Sequence, residues 1–296
     1  MRQQSGDAKI MPEMQQERHI LVLGASGKLG RMLRNLWRDA PPPGLSIHWQ
    51  YRKNPQGDGL VWQPGAPAPS DLPEIDAVVA LWGVTPGPGR DLAENSRLAV
   101  AAMALAKALG AGRVLHCSSA AVYEPGPEPR AEPEAGGAVN AYGAAKLAME
   151  AAIAEATASG GPPSCAMRIA NVVGADSLFA AIDRGAGRIT LDRFDGGAGP
   201  RRSYLSVPTL ARALQALVTC PIDALPDVVN LADPEPYEME ELARAAGCAV
   251  DWRPAPPSAA AMVELDTGRL QRLTGVLPRT SATDIIADWR RLREPR

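Results

Sequence analysis

The chain is 296 residues long, 46% of its residues are apolar, and its formal net charge is -2 at pH 7. This length allows one large α/β domain with an appended smaller part, or two modest domains, around a sizeable core. The balanced charge and the lack of a long basic stretch argue against nucleic acid or an anionic membrane as the partner. No run reaches the roughly 18 apolar residues that a membrane span needs.

Two further features bound the class of protein. Residues 1–17 are polar and contain no apolar signal-peptide core, so we expect a polar N-terminal tail and a cytoplasmic location. The four cysteines are far apart, with no CxxC pattern and no histidine pair nearby. We therefore expect reduced, buried thiols, no disulfide framework and no metal site at Cys117, Cys165, Cys220 or Cys248.

Segments typical of strands and helices alternate through the first half of the chain. Strands are predicted at 19–23, 45–51, 59–62, 77–81, 113–118 and 164–171, with helices at 28–39, 92–109 and 140–159. This alternation is typical of a parallel sheet covered by helices on both faces, which is a doubly wound α/β fold. Beyond about residue 174 the regularity weakens. There we expect a mobile loop at 183–200, a strand at 227–231, and helices at 209–218, 266–273 and 281–292.

A glycine-rich loop follows the first predicted strand and opens the first helix. Its three glycines have the spacing GxxGxxG. Glycine allows a tight turn, a close approach of backbone amides to a pyrophosphate, and tight packing of the helix on the strand. The helix N-terminus attracts the phosphates. The pattern predicts a Rossmann domain that binds a dinucleotide through Gly24, Ser26, Gly27, Lys28, Leu29 and Gly30.

This reading divides the chain into two functional parts. We assign 18–174 and 209–232 to the dinucleotide-binding Rossmann domain. We assign 175–208 and 233–296 to a small C-terminal substrate-binding part.

The end of the second predicted strand bears on the choice of nicotinamide cofactor. NAD sites usually place an acidic residue there to hold the ribose 2′-hydroxyl. This chain has Arg52 and Lys53 instead, and Asp58 is too far along to replace the missing acid. Two cations suit a 2′-phosphate, so we predict NADP with Arg52 as a contact. NAD is the alternative if both side chains are merely solvated.

A tyrosine and a lysine are spaced for acid–base chemistry. Tyr142 and Lys146 are four residues apart on a predicted helix and share one face. A free phenol has a pKa near 10, and a neighbouring cation is expected to lower that pKa. The lysine can also bond the cofactor ribose. Ser118 and Ser119 end the preceding strand, where catalytic groups of open α/β sheets lie. The alternative is an ordinary surface pair.

Together these residues resemble the short-chain dehydrogenase/reductase superfamily, and more closely its extended branch of NAD(P)-dependent sugar-nucleotide epimerases, dehydratases and reductases. The motifs GASGKLG, SSAAVY, YGAAK, RIANVVG and RSYLSVPTLARAL follow that branch in order over about 19–275. The resemblance implies that Ser119, Tyr142 and Lys146 are catalytic and that Ser118 lies on the substrate side.

The resemblance also implies supporting and substrate-binding residues. Asn95 would support the active site, Asn171 would contact substrate, and Arg202 would contact a substrate diphosphate, with a surface arginine as the alternative. Ser206 and Thr209 stand where the family usually has His and Asp. The family further implies a homodimer in which the helices at 92–109 and 140–158 pair across a two-fold axis.

We therefore predict an NAD(P)-dependent oxidoreductase of the epimerase/dehydratase/reductase type. It would act on a hydroxyl or carbonyl carbon of a sugar or nucleotide-sugar-like substrate. Dehydration is the least favoured reaction, because Ala120 and Ala121 stand where it would need an acid/base pair. The alternative is a non-catalytic regulatory protein that binds NAD(P) and senses redox state. His116 is predicted to be a core residue.

Overall fold

The structure is a computed structural model that describes residues 17–293 apart from 58, 135, 139 and 186. Residues 1–16 of the predicted N-terminal tail therefore lie outside the described residues, as does Asp58.

Seven parallel strands form the main sheet, in the order β3-β2-β1-β4-β5-β6-β11. The order reverses between β1 and β4, so the sheet is doubly wound as the sequence predicts. The strands of the chain are β1 Arg18–Leu23, β2 Leu45–Tyr51, β3 Leu60–Val61, β4 Ala77–Ala80, β5 Arg113–Ser119, β6 Ser164–Ile169, β7 Asn171–Val172, β8 Arg188–Arg193, β9 Arg201–Arg202, β10 Tyr204–Leu205, β11 Val228–Leu231, β12 Tyr237–Glu238, β13 Ala249–Pro254 and β14 Met262–Val263.

Helices cover both faces of this sheet. They are α1 Lys28–Asp39, α2 Glu94–Ala108, α3 Ala141–Ala158, α4 Ser177–Asp183, α5 Val207–Thr219, α6 Met239–Ala245, α7 Gly268–Thr274 and α8 Ala282–Arg293. Successive residues of a strand point to opposite faces. In β1, Ile20 and Val22 accordingly pack with α1 and α5, whereas Leu21 and Leu23 pack with α2.

The C-terminal part is built from short strands and helices that share the core on the α1 side of the sheet. The strand β7 pairs with β10, β9 lies between β12 and β14, and β8 pairs in parallel with β13. The mobile loop predicted at 183–200 is therefore wrong, since β8 occupies its centre. Ile189 and Leu191 of β8 are buried, and this burial orders a segment whose glycines suggested a loop.

Two simple properties follow from the described residues. None of their helices is long and apolar enough to cross a membrane. The four cysteines all lie in the described part of the chain and are free thiols. Cys165 and Cys248 are buried, and Cys117 and Cys220 are half-buried.

Candidate functional site

The glycine loop makes a tight turn at the carboxyl end of β1. The Gly27 amide donates to the Gly24 carbonyl over 2.9 Å. Gly24 has φ +92°, and a Cβ there would lie 3.0–3.1 Å from the backbone and Cβ of Trp82. A Cβ on Gly30 would lie 2.5 Å from the Gly24 carbonyl oxygen. The loop therefore needs glycine at both ends, one for its conformation and one for the close approach of α1.

The N-terminus of α1 is free to bind an anion. No side chain caps the helix at Gly27, and its first turn carries no acidic residue. The first amides of a helix have no carbonyl partner within the helix. Ser26, Gly27 and Lys28 are exposed, and Leu29 is half-buried. This arrangement fits the pyrophosphate of a dinucleotide, because amides and the helix dipole both face the same open position.

Basic side chains gather at the carboxyl end of β2. Arg52 and Lys53 are both exposed. The Arg34 guanidinium of α1 lies over the Tyr51 ring, 5.5 Å from its centroid. Arg52 forms no salt bridge with another described residue. The structure thus places exposed cations at the carboxyl end of β2.

Three consecutive residues of β5, Cys117 to Ser119, each contact a residue of α3. The Cys117 carbonyl accepts from Lys146 Nζ over 2.7 Å. The Ser118 hydroxyl donates to Glu150 Oε1 over 2.5 Å. The Ser119 hydroxyl lies beside the Tyr142 phenol and acts to lower its pKa. Strand and helix together therefore bring Ser119, Tyr142 and Lys146 into one site, as the spacing in the sequence suggests.

Burial controls the ionisation of the tyrosine and the lysine. Burial, with a smaller contribution from the neighbouring Cys117, raises the pKa of Tyr142 to about 12, although the Ser119 hydroxyl opposes this rise. Burial also lowers the pKa of Lys146, against the opposing effects of Cys117 and Glu150. The expected lowering of the Tyr142 pKa by Lys146 is therefore wrong for this structure. The phenol is a protonated acid at neutral pH.

The Ser118 hydroxyl is hydrogen-bonded to a buried ion pair between Glu150 and Arg168. The Glu150 carboxylate accepts hydrogen bonds from Arg168 Nε over 3.0 Å and from Arg168 Nη2 over 2.7 Å. It also accepts the bond from the Ser118 hydroxyl. Ser118 itself is 2% exposed. This placement argues against the predicted substrate contact of Ser118, because its hydroxyl is already used inside the protein.

The Arg168 guanidinium extends this network toward the C-terminal part. Its Nη1 donates to the Tyr123 hydroxyl over 2.8 Å, and that hydroxyl donates to Asn230 Oδ1 over 2.7 Å. The burial of Arg168 opposes its charge, but its bonds to Glu150 and Tyr123 outweigh this and raise the pKa of Arg168. One hydrogen-bonded chain therefore links β5, α3, β6 and β11.

Gly143 is a site residue that the sequence analysis missed. A Cβ there would lie 2.0 Å from the Ala121 carbonyl oxygen, so only glycine lets α3 approach the turn after Ser119 this closely. Asn140 caps α3 by accepting the Gly143 amide over 2.9 Å. The sequence did contain a signal for this close approach. A glycine stands between Tyr142 and Lys146 in the predicted helix, and glycine inside a helix costs about 1 kcal/mol relative to alanine, so its presence indicates a packing requirement.

Asn95 pins the segment that follows β4. It is 1% exposed, and its side chain bonds both the amide and the carbonyl of Val84 over 3.0 Å. A Cβ on the adjacent Gly83 would lie 3.4 Å from Lys146 Nζ. Asn95 therefore lies next to Lys146 and fixes the backbone beside it.

Two of the predicted substrate residues, Asn171 and Arg202, already form hydrogen bonds to the C-terminal part. Asn171 donates to Asp176 Oδ2 over 3.0 Å. Arg202 Nη1 donates to the Ala261 carbonyl over 2.9 Å, and Nη2 donates to the Ala260 carbonyl over 2.6 Å. An Arg202 that bound a diphosphate would have to exchange these bonds, so its predicted role stays a prediction.

His116 is a core residue of β5. It is 1% exposed, and burial together with the nearby Lys146 lowers its pKa to about 3. It is therefore neutral at pH 7. No group of three or more His, Cys, Asp or Glu side chains that could hold a metal ion occurs in the part of the chain that the structure describes.

Comparison with known proteins adds a family and a set of structural relatives. The model of the NAD dependent epimerase/dehydratase family matches residues 20–232. Comparison with curated protein sequences gives no match.

Solved structures similar to this chain share its fold at low sequence identity. MoeE5 in complex with UDP-glucuronic acid and NAD is 20% identical with a TM-score of 0.71, over 92% of this chain and 99% of that chain. TunA, an NAD-dependent NDP-hexosamine 5,6-dehydratase involved in tunicamycin biosynthesis, is 19% identical with a TM-score of 0.73, over 94% and 99%. UDP-glucuronic acid 4-epimerase from Bacillus cereus, with UDP-glucuronic acid and NAD, is 15% identical with a TM-score of 0.72, over 93% and 99%.

These relatives bear on the cofactor. Each of the three is described with NAD, so they give no support to the predicted preference for NADP.

Proposed function

Because this chain belongs to the NAD-dependent epimerase/dehydratase family, we propose that it moves a hydride between a nicotinamide dinucleotide and a hydroxyl-bearing carbon of a sugar or nucleotide sugar. The observation that carries this proposal is the set of contacts between β5 and α3. They place Lys146, Ser119 and the Tyr142 phenol beside one another at the carboxyl end of the sheet.

The roles of these residues follow from their environment. When bound, the cofactor supplies or accepts the hydride. The phenol of Tyr142, protonated at neutral pH because its pKa is raised, donates a proton to the substrate oxygen during reduction. The Ser119 hydroxyl orients that oxygen and the phenol. Lys146, held by the Cys117 carbonyl, supplies positive charge beside the phenol and a donor for the cofactor ribose.

The C-terminal part would complete the substrate site. We propose that 18–174 and 209–232 bind the dinucleotide and that 175–208 and 233–296 bind substrate. The three short sheets support this division, since they are separate from the main sheet and all their strands except β7 lie in the latter part. A cytoplasmic location stays a prediction.

The proposal is tested by supplying a panel of nucleotide sugars with NAD, NADP, NADH or NADPH. The expected result is a change in nicotinamide absorbance, or conversion of one sugar epimer to another, with at least one member of the panel. Tight cofactor binding without turnover of any sugar would contradict it and favour the non-catalytic regulator.

A separate prediction concerns the choice of cofactor. We expect the chain to bind NADPH about tenfold or more tightly than NADH, because Arg52 can grip a 2′-phosphate with charge-assisted bonds. Calorimetric titration of both cofactors into wild type and Arg52→Ala measures the ratio, with Arg38→Ala, at the far end of α1, as the control. Equal affinities in wild type, or an unchanged ratio in Arg52→Ala, would assign the chain to NAD, as in its relatives.

A further prediction concerns assembly. The helices α2 and α3 pack on each other through Ala99, Met149 and Ile153. Their outer faces present small or apolar side chains, including Val100, which is 46% exposed. We propose that these faces pair in a homodimer. Light scattering should give the mass of two chains for wild type and one chain for Val100→Asp. A wild-type monomer at micromolar concentration would contradict the proposal.

A further inference from the structure

Gln50 is a buried amide that joins two loops of the cofactor side. It is 2% exposed, at the next-to-last position of β2. Its Oε1 accepts the Gly24 amide over 3.0 Å, and its Nε2 donates to the Trp62 carbonyl over 2.5 Å. Its own carbonyl accepts the Ala25 amide over 3.0 Å. One residue of β2 therefore fixes the first turn of the glycine loop to the segment that follows β3.

Trp62, which follows β3, and Trp82, which follows β4, connect the Gln50 contacts back to the glycine loop. The Trp62 indole stacks on Trp82, with centroids 6.0 Å apart and an interplanar angle of 26°. The backbone of Trp82 in turn lies against Gly24, since a Cβ added to Gly24 would be 3.0–3.1 Å from it. Gly24, Gln50, Trp62 and Trp82 thus connect the carboxyl ends of four neighbouring strands, β1 to β4.

This placement matters because the Gly24 amide lies at the start of the loop that faces the pyrophosphate. A glycine with positive φ has many accessible conformations in a free loop. A loop that is already ordered before binding avoids the entropic cost of ordering at the moment of binding. The Gln50 side chain, which lies outside the loop, restrains the loop through its bond to the Gly24 amide. No other group among the described residues bonds that amide.

We propose that Gln50 is a positioning residue for the dinucleotide, which holds the glycine loop in its binding conformation through the Gly24 amide. This inference rests on the proposed function, because it requires that the loop binds a nicotinamide dinucleotide. Gln50 acts through the loop, and no contact between Gln50 and the cofactor is part of the proposal.

Two substitutions separate the hydrogen bonds from the packing. Gln50→Met keeps the length of the side chain and removes both bonds. Gln50→Glu places a carboxyl group there which, when protonated, can accept from the Gly24 amide and donate to the Trp62 carbonyl as the amide does. Gln215→Met is the matched control, since Gln215 lies on α5 and makes one exposed bond to the Pro43 carbonyl.

The experiment measures the affinity for NADH and NADPH by calorimetry, the melting temperature, and amide hydrogen exchange in the cofactor-free protein. We expect Gln50→Met to weaken the binding of both cofactors by about tenfold or more. We expect it to speed exchange at Gly24, and Gln215→Met to change neither quantity. Gln50→Glu should bind with near wild-type affinity at acidic pH and more weakly as its carboxyl group ionises, whereas wild type should lack this dependence.

The outcomes distinguish this inference from the function on which it rests. If wild type binds neither cofactor, the proposed function is overturned. If wild type binds and folded Gln50→Met binds equally well with unchanged exchange at Gly24, the positioning role alone is overturned. A lower melting temperature with unchanged affinity would also overturn it, as the residue would then serve only stability. Should Gln50→Met fail to fold, the pH dependence of Gln50→Glu decides the matter.

Discussion

Replacing Tyr142 by phenylalanine is expected to lower kcat by about 10²- to 10⁴-fold, the usual contribution of a general acid or base. The substitution removes the phenol proton and leaves the ring in place. Lys146 keeps its bond to the Cys117 carbonyl, so the affinity for the dinucleotide should change little. The measurement is turnover of the sugar identified by the panel, together with calorimetric titration of the cofactor.

The control for this substitution is Tyr237, a buried tyrosine of the C-terminal part. The Tyr237 hydroxyl donates to the Thr280 carbonyl over 2.6 Å in the C-terminal part. Tyr237→Phe should lower stability without lowering kcat. Near-normal turnover by Tyr142→Phe would remove Tyr142 from the mechanism, and a matched loss in both variants would indicate general damage to the fold.

Replacing Arg168 by methionine is expected to lower the free energy of unfolding by about 3–5 kcal/mol, because it leaves a buried carboxylate without its partner. The side chain of Glu150 is 11% exposed and that of Arg168 is 6% exposed. The variant also removes a donor from Tyr123. The loss is measured by denaturant unfolding of wild type and variant. The comparison requires that the free energy of unfolding falls with the same slope against denaturant concentration in both.

Two further variants show whether the unpaired charge is the cause. Removing both partners in Arg168→Met with Glu150→Leu should recover part of the lost stability, because no isolated charge then remains in the interior. Arg188→Met breaks an exposed pair with Asp251 and should cost no more than about 1 kcal/mol. Equal losses from Arg168→Met and Arg188→Met would show that the buried network does not stabilise the fold.

Local patterns in the sequence were sufficient to predict the main sheet and to select Ser119, Tyr142 and Lys146, which the structure brings together. The spacing of Gly24, Gly27 and Gly30 depends on the chemistry of one turn, and the spacing of Tyr142 and Lys146 depends on the period of one helix. Such relations hold within a few residues, so they can be read without knowing the rest of the fold. The alternation of strands and helices likewise predicted the doubly wound sheet.

The ionisation of the site could not be predicted in the same way. The expected effect of Lys146 on Tyr142 considered only a pair on a helix. The structure adds the desolvation of both groups by burial, which raises the pKa of the Tyr142 phenol and lowers that of Lys146. Desolvation depends on all the elements that pack around a group, which spacing along one helix does not reveal.

The sequence by itself therefore determined the doubly wound sheet and the candidate site residues, because both depend on residue type and on spacing over a few residues. Tertiary structure decided which neighbouring serine faces the tyrosine, since the Ser118 hydroxyl bonds Glu150 whereas Ser119 lies beside Tyr142. It also decided the order of β8, whose partner β13 begins at Ala249, far along the chain. Contacts between residues so distant in sequence depend on how the elements pack, and no local pattern specifies that packing.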